Sequence, residues 1–178
     1  VSAAQLCDLR DFFSGYIHCR TMYFVVDNII KPLTKQHKMS FADLVGPSNA
    51  EWFVSHYWGT SFRDFCDSIR KHAEVVGMQG MWGSVRYWIC SLSNNQWDVE
   101  GELGGTWSES SFYLALRSGV CRGTCMVLDD LALPFTRSWC LFEVLQTLRL
   151  EREDLGFQGL LFCTRDGVLN WGSGSMDA

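Results

Sequence analysis

The residues with the clearest chemical potential lie around Glu143, in the last third of the chain. An apolar segment, 125–128, leads into a polar turn that Pro134 closes, and a helix is predicted to follow with Thr136 or Ser138 as its N-cap. A carboxylate near the start of such a helix lies at the mouth of a strand–loop–helix unit. Because open α/β sheets bind ligands at that edge, the pattern indicates a site in which a carboxylate faces a ligand.

Two stripes of residues run along this predicted helix. The apolar stripe, which helical spacing predicts to face the core, consists of Leu141, Leu145 and Leu148. The second stripe, by the same three-and-four rule, consists of Cys140, Glu143 and Thr147. A glutamate in the second turn of a helix is usually solvated and a tryptophan such as Trp139 is usually a core residue, so the residue types alone favour a structural interpretation.

The composition indicates a folded protein without a nucleic-acid or membrane role. A length of 178 residues, with 47% hydrophobic and 20% charged residues, predicts one globular domain. The net charge of −5 argues against a nucleic-acid surface, which needs a basic patch. No apolar run reaches the roughly 18 residues that a membrane span needs. The start at Val1 has no charged-then-apolar leader, so we expect a cytoplasmic piece of a longer protein.

The eight cysteines do not follow a metal-binding or disulfide pattern. No Cys-x-x-Cys pair occurs, and the adjacent His18 and Cys19 are badly spaced to hold one metal ion. Buried free thiols in a reducing compartment are the expected state, with no metal ion and no disulfide. The cysteines are Cys7, Cys19, Cys66, Cys90, Cys121, Cys125, Cys140 and Cys163.

The chain divides into a helical first part, 1–48, and an alternating strand–helix part, 49–178. A helix capped by Thr60 or Ser61 is predicted after the first strand. Alternation of this kind predicts a parallel, doubly wound α/β sheet with right-handed crossovers. The predicted strands are 51–57, 85–92, 121–128 and 159–164.

The motif Ser138-Trp139-Cys140, followed after two residues by Glu143-Val144, resembles the signature that closes the third βα unit of TIR domains. In the enzymatic members of that family this glutamate is the catalytic residue of NAD cleavage. The resemblance therefore implies that Glu143 is catalytic and that Trp139 lines the side of the site where nicotinamide binds, with Cys140 beside them.

A second passage, 53–65, resembles the opening strand, loop and helix of TIR domains. Ser55, Gly59 and Arg63 match the family pattern, whereas the segment 56–58 has one extra residue and no arginine. The resemblance implies that the matching residues position the substrate. Arg63 is predicted to clamp a phosphate at the helix N-terminus.

Two residues of the divergent loop are further candidates for the site. His56 stands at a strand end, where it could donate to a ligand or carry a proton, although such a histidine more often bonds a backbone carbonyl. Trp58 follows it and is a candidate for substrate binding.

The long segment 93–106 resembles the BB loop, which in TIR domains covers the active site and mediates contacts between copies. Its element 102–105, Glu-Leu-Gly-Gly, is similar to the end of that loop. Asn94 could bond a ribose or a carboxamide, and Trp97 could stack on a base.

The resemblance covers about 51–165 and implies a flavodoxin-like strand order, 2-1-3-4-5, of which four strands are recognisable. The domain is thus expected to be incomplete at its C-terminus, with the fourth strand as an edge. The implied activity is a NAD glycohydrolase or cyclase, with NAD as substrate, no cofactor, and self-association through TIR-like surfaces.

Other functions remain open on the sequence. One is a TIR-like interaction module for signalling without turnover, and another is an enzyme similar to nucleoside deoxyribosyltransferases. A thiol hydrolase built on Cys140 is a weaker alternative, because no histidine stands near it in the chain.

Overall fold

The computed structural model of the chain describes residues 1–153 and 156–171 and is built on one mixed sheet. The strands are β1 Trp52–His56, β2 Tyr87–Ile89, β3 Gly123–Val127, β4 Leu160–Thr164 and β5 Gly167–Val168. Their order in the sheet is β2-β1-β3-β4-β5. The strands β1 to β4 pair with one another in parallel, and β5 pairs antiparallel with β4. The doubly wound α/β fold class is therefore confirmed.

The last strand differs from the expectation. The sequence predicted a loop after residue 164 and left β4 as an open edge. Instead, a short hairpin returns at Gly167 and Val168 and pairs with Thr164 and Cys163. This hairpin covers part of an edge that would otherwise present unpaired backbone groups. The remainder of the predicted C-terminal loop, 172–178, lies outside the described residues.

Ten α-helices lie in the part of the chain that the structure describes, together with shorter turns. The helices are α1 Ala3–Phe12, α2 Ser14–Ile17, α3 Met22–Val25, α4 Lys31–Thr34, α5 Phe41–Val45, α6 Phe62–Val76, α7 Cys90–Ser93, α8 Val99–Leu103, α9 Ser111–Arg117 and α10 Ser138–Glu153. The 3₁₀ turns are Met78–Gly80, Trp82–Ser84, Trp107–Glu109, Leu133–Thr136 and Leu169–Trp171. Over residues 1–153 and 156–171, no helix is both long and apolar enough to cross a membrane.

The helical path that begins at Met22 continues past Pro32 to Thr34. A π turn, Val26–Ile30, joins α3 to α4. Within it the Lys31 N–H donates to the Val26 carbonyl, so the hydrogen-bond register changes just before Pro32. Because proline has no N–H to donate, this change of register accommodates it inside a helix.

The helical first part of the chain shares a core with the sheet. Ser2 forms a bridge with Arg86 beside β2, and α1 packs against α6. The shared apolar cluster contains Leu6 and Ile29 together with Val54 of β1 and Phe65 of α6.

Helix α6 has the amphipathic character that the sequence predicted. Ser61 is its N-cap, and its Oγ accepts a hydrogen bond from the Asp64 N–H at 3.4 Å. Phe65 and Ile69 lie fully inside, where burial of such a side chain contributes roughly 1.5–3 kcal/mol each.

The prediction for α10 was wrong. Its leucines Leu141, Leu145 and Leu148 are 48%, 47% and 41% exposed. The inward residues of the helix are instead Cys140, Glu143, Gln146 and Thr147. The polar stripe faces inward because it finds partners there: the Thr147 Oγ1 lies 2.7 Å from the Thr124 Oγ1 of β3, and the Cys140 thiol approaches the His56 carbonyl.

Candidate functional site

Glu143 lies on a cavity of about 220 Å³. The residues that surround it come from β1 and the loop after it, from the start of α7 after β2, from α10 and the residue before it, and from α3 and α9. Since the chain leaves β1 toward β2 on one side and β3 stands on the other, this is the switch point where open sheets bind ligands. The lining residues are Tyr23, Val54, His56, Tyr57, Trp58, Cys90, Phe112, Arg137, Trp139, Cys140 and Glu143.

The carboxyl group of Glu143 is only slightly accessible, at 5% exposure of the residue. Burial raises the pKa of Glu143 to about 8, and the neighbouring Ser55 hydroxyl opposes this by lowering it. The cause is desolvation, which penalises the charged form of a carboxyl group. At neutral pH the group is therefore mainly protonated and becomes a carboxylate only with a nearby positive charge or at higher pH.

Ser55 stands on β1 beside this carboxyl group. It is fully buried and does not line the cavity, and its Oγ forms no hydrogen bond of good geometry with the protein. The hydroxyl is nevertheless close enough to lower the pKa of both Glu143 and Cys140. It therefore acts on these two lining residues and not directly on the contents of the cavity.

Aromatic side chains form the walls of the cavity. Trp139 is 45% exposed, and its ring stacks on Phe112 with centroids 5.6 Å apart. On another side the Trp58 indole N–H donates to the Cys90 Sγ at 3.2 Å, and its ring packs edge-on against Tyr23 at 5.4 Å. Trp58 and Trp139, two of the residues predicted to bind substrate, thus both line the cavity.

Gly59 does not line the cavity but shapes it. A Cβ at this position would collide with the ring of Tyr57, which is a lining residue. The glycine therefore allows the tyrosine ring to fold back against its own loop, and substitution would displace it.

Cys140 and His56 are neighbours but do not form a nucleophile–base pair. The Cys140 thiol donates to the His56 backbone carbonyl at 3.6 Å. The His56 ring packs on Phe65, with centroids 4.6 Å apart. Burial raises the pKa of Cys140 to about 11 and lowers the pKa of His56 to about 3. A protonated thiol and a hardly basic imidazole do not support a thiol hydrolase.

Arg137 is the cation of the cavity. Its guanidinium lies over the ring of Tyr57, 5.4 Å from the centroid, and the side chain is exposed. Arg137, Tyr57 and Tyr23 line the cavity but were not predicted from the sequence. An arginine directly before the Ser-Trp-Cys motif was a usable signal for the first, whereas Tyr23 reaches the cavity only through packing of the N-terminal helices.

Arg63 lies elsewhere. It lines a separate polar cavity of about 310 Å³, with residues of α1 and α2 and with Asp67. It does not line the Glu143 cavity, so within the described structure the predicted phosphate clamp is not part of that cavity.

The two predicted residues of the 93–106 segment are also separated. Asn94 is buried and lines a side cavity of about 60 Å³ that shares Trp58, Cys90 and Phe112 with the Glu143 cavity. Trp97 lines neither cavity, because its indole N–H donates to the Thr34 Oγ1 at 3.0 Å and holds the loop to α4.

Comparisons with protein-family models, with curated proteins and with solved structures found no match to this chain. The resemblance to TIR domains therefore stays a prediction that rests on the motifs named above.

Proposed function

We propose that the protein cleaves the bond between nicotinamide and ribose in NAD, with Glu143 as the catalytic carboxylate. The observation that carries this proposal is the nearly buried carboxyl group of Glu143 in an aromatic-walled cavity at the switch point of the sheet. The proposal leaves open whether the product is hydrolysed or cyclised.

The charge of the substrate fits the electrostatics of the cavity. The Glu143 carboxyl group has a pKa of about 8 because it is desolvated. A pyridinium ring beside it favours the ionised form, since an opposite charge at short range offsets desolvation. A cationic substrate would thus create the carboxylate that the reaction needs, whereas a neutral nucleoside would not.

The chemistry requires a negative charge and no proton donor. Nicotinamide leaves as a neutral molecule, while positive charge develops on the ribose. A carboxylate near that carbon, or bonded to the ribose hydroxyls, stabilises the charge as carboxylates do in glycoside hydrolysis. In this proposal Glu143 has that role, and the buried Ser55 hydroxyl favours its ionised form from behind.

The size of the cavity limits which part of the dinucleotide it can hold. At about 220 Å³ it is smaller than the roughly 300–1,000 Å³ of pockets that hold a whole drug-sized ligand. We assign the nicotinamide and its ribose to the cavity, with Trp139 against the ring. The pyrophosphate is assigned to the exposed guanidinium of Arg137, which takes the place of the predicted clamp at Arg63.

The test is release of free nicotinamide from NAD by concentrated protein, measured by chromatography. We expect Glu143→Gln to reduce the rate at least about 100-fold, because the amide cannot become an anion. Glu151→Gln is the matched control, since this exposed glutamate lies on the same helix and is expected to leave the rate unchanged. Equal release from wild type and Glu143→Gln, or no release from wild type, would refute the proposal.

Homotypic association is a second candidate function, favoured by the exposed leucines of α10. Leu141, Leu145 and Leu148 form one stripe on the outer side of this helix. Large exposed apolar side chains in one patch are typical of interaction surfaces. Sedimentation of wild type and of Leu145→Asp tests this: a dimer that the substitution dissociates supports association, and a monomeric wild type at high concentration contradicts it.

A further inference from the structure

Three potential metal ligands from different elements meet in the core, apart from the Glu143 cavity. They are His72 of α6, Cys125 of β3 and Cys163 of β4, and each is 0% exposed. A ring nitrogen of His72 and the two sulfur atoms all lie within 4.8 Å of one another. The two Sγ atoms are 3.3 Å apart, which is far longer than the roughly 2.05 Å of a disulfide, so both are thiols.

The Nδ1 of His72 lies 2.8 Å from the Tyr87 hydroxyl, and which of the two donates depends on the tautomer of the ring. In the tautomer with its hydrogen on Nδ1, the hydroxyl accepts from the ring and donates to the Ile69 carbonyl at 3.5 Å, and the Nε2 carries the lone pair. Metal binding through Nε2 uses this tautomer. Burial lowers the pKa of His72 to about 3, which keeps the ring neutral.

The Nε2 of His72 is without a partner in the described structure, since it is buried and makes no hydrogen bond. Buried polar atoms in folded proteins normally have a partner, so an unpartnered imidazole nitrogen beside two thiols calls for an explanation. A metal ion would use the Nε2 and both sulfurs at once.

The surroundings supply the outer contacts that metal-binding histidines require. Histidine ligands commonly donate their other ring N–H to an oxygen, which fixes the tautomer and the ring plane. Here the Tyr87 hydroxyl lies 2.8 Å from Nδ1, where it can accept the Nδ1–H, and the ring of Trp52 packs edge-on against His72 with centroids 4.5 Å apart. The ring is therefore held in place without the metal.

We propose that His72, Cys125 and Cys163 form a buried binding site for a thiophilic d¹⁰ metal ion, and that the ion is Cu(I). Thiolate and imidazole ligands select Cu(I) and zinc. Structural zinc takes four ligands, and among the described residues the cluster offers three side chains of the His, Cys, Asp and Glu types. A buried site of three ligands suits Cu(I), which accepts two sulfurs and one nitrogen.

Binding exchanges protons for the metal and transfers no electrons. Each thiol that becomes a ligand loses one proton, so Cu(I) and two thiols give a complex of two thiolates and one imidazole plus two released protons. Copper binding should therefore strengthen as the pH rises. Because all ligands are buried, loading requires a transient opening of the core or takes place during folding.

The experiment is titration of the reduced protein with Cu(I) under anaerobic conditions, with bicinchoninate as coloured competitor. All proteins carry Cys19→Ser, which removes the exposed thiol, and each is tested both as folded protein and after refolding with Cu(I). We expect one equivalent of Cu(I) to move to the protein and the affinity to fall at least about 100-fold in Cys163→Ser. Cys66→Ser is the matched control, because this thiol is buried in α6 outside the cluster.

X-ray absorption of the copper-loaded wild type gives a second readout that does not depend on a variant folding. Two sulfur atoms and one nitrogen around copper are expected. A failure to take up Cu(I), equal uptake by Cys163→Ser, or a copper environment of sulfur alone would overturn the proposal. Uptake of Zn²⁺ in place of Cu(I) would overturn the choice of ion.

Discussion

Thr147 of α10 and Thr124 of β3 face each other with their hydroxyl oxygens 2.7 Å apart, and both residues are fully buried. This contact ties the polar side of the helix to the sheet. One turn earlier on the same side lies Glu143, which the contact therefore turns toward the cavity. The side of the helix that carries Glu143 thus meets the sheet through polar groups, while its leucines are exposed.

Replacing one of these hydroxyls should cost more than replacing both. In Thr147→Val the Thr124 hydroxyl is left buried without a partner, and we expect the free energy of unfolding to fall by about 1–3 kcal/mol. In the double variant with Thr124→Val the unpaired group is gone, so much of that loss should return. Urea unfolding of the four proteins measures the cycle, and an additive double variant would show that the two hydroxyls do not interact.

The stability of the protein should depend on pH through Glu143. Its pKa is about 8 in the folded protein against an ordinary value of 4.5. Below about pH 4.5 both states hold the proton. Between 4.5 and 8 the unfolded chain loses it while the folded protein keeps it, so the free energy of unfolding falls as the pH rises, on the order of a few kcal/mol by pH 8.

Glu143→Gln isolates this effect, because glutamine does not titrate. We expect the variant and wild type to differ little near pH 4.5 and the variant to be the more stable at pH 8. The pKa values of the buried His56 and His72 are both lowered to about 3, so these residues change the free energy of unfolding only below about pH 6.5. They do so in both proteins, and their contributions cancel in the comparison. A stability difference that is constant with pH would contradict the raised pKa of Glu143.

Substitution of two arginines distinguishes the phosphate contact predicted from the sequence, Arg63, from the contact that the proposed function assigns to Arg137. Arg137 lines the Glu143 cavity, and Arg63 lines another. A hydrogen bond to a charged group contributes about 1.5–3 kcal/mol, so Arg137→Gln should weaken NAD binding about 10- to 150-fold. Arg63→Gln is the matched control and should leave the dissociation constant unchanged. Nicotinamide riboside, which has no phosphate, should bind both variants like wild type. If Arg63→Gln weakens NAD binding and Arg137→Gln does not, the phosphate site lies at α6 instead.

The exposed leucines of α10 should contribute little to the stability of the single chain. Leu145→Ala is expected to change the free energy of unfolding by less than about 0.5 kcal/mol at low protein concentration. Ile69→Ala, in the buried face of α6, is expected to cost about 2–5 kcal/mol. A cost for Leu145→Ala as large as that for Ile69→Ala would mean that α10 packs in the orientation first predicted from its leucines.

Much of the fold was predictable because its signals are local. The apolar runs at β1, β3 and β4 are bounded by polar turns, and α6 combines a serine cap with a regular apolar face. The antiparallel return at β5 was missed, since two residues with one glycine carry no periodic signal. For α10 the pattern was misleading, because its apolar stripe is the more regular one but the polar stripe has the partners.

The candidate site was predicted in part for the same reason. Ser55, Trp58, Trp139, Cys140 and Glu143 come together because each stands beside a strand end or at the helix that follows it. Arg63 and Trp97 stand at comparable positions in the chain but are directed to other partners.

By itself, the sequence determined the class of fold, the first four strands of the sheet, and the carboxylate at the helix after β3, since these follow from alternation, caps and short motifs. Only the tertiary structure decided which stripe of α10 faces inward, which arginine meets the cavity, and that His72, Cys125 and Cys163 meet in the core. The physical reason is that these relations join elements distant in the chain, where hydrogen-bond partners and packing, and not local periodicity, decide the orientation of each side chain.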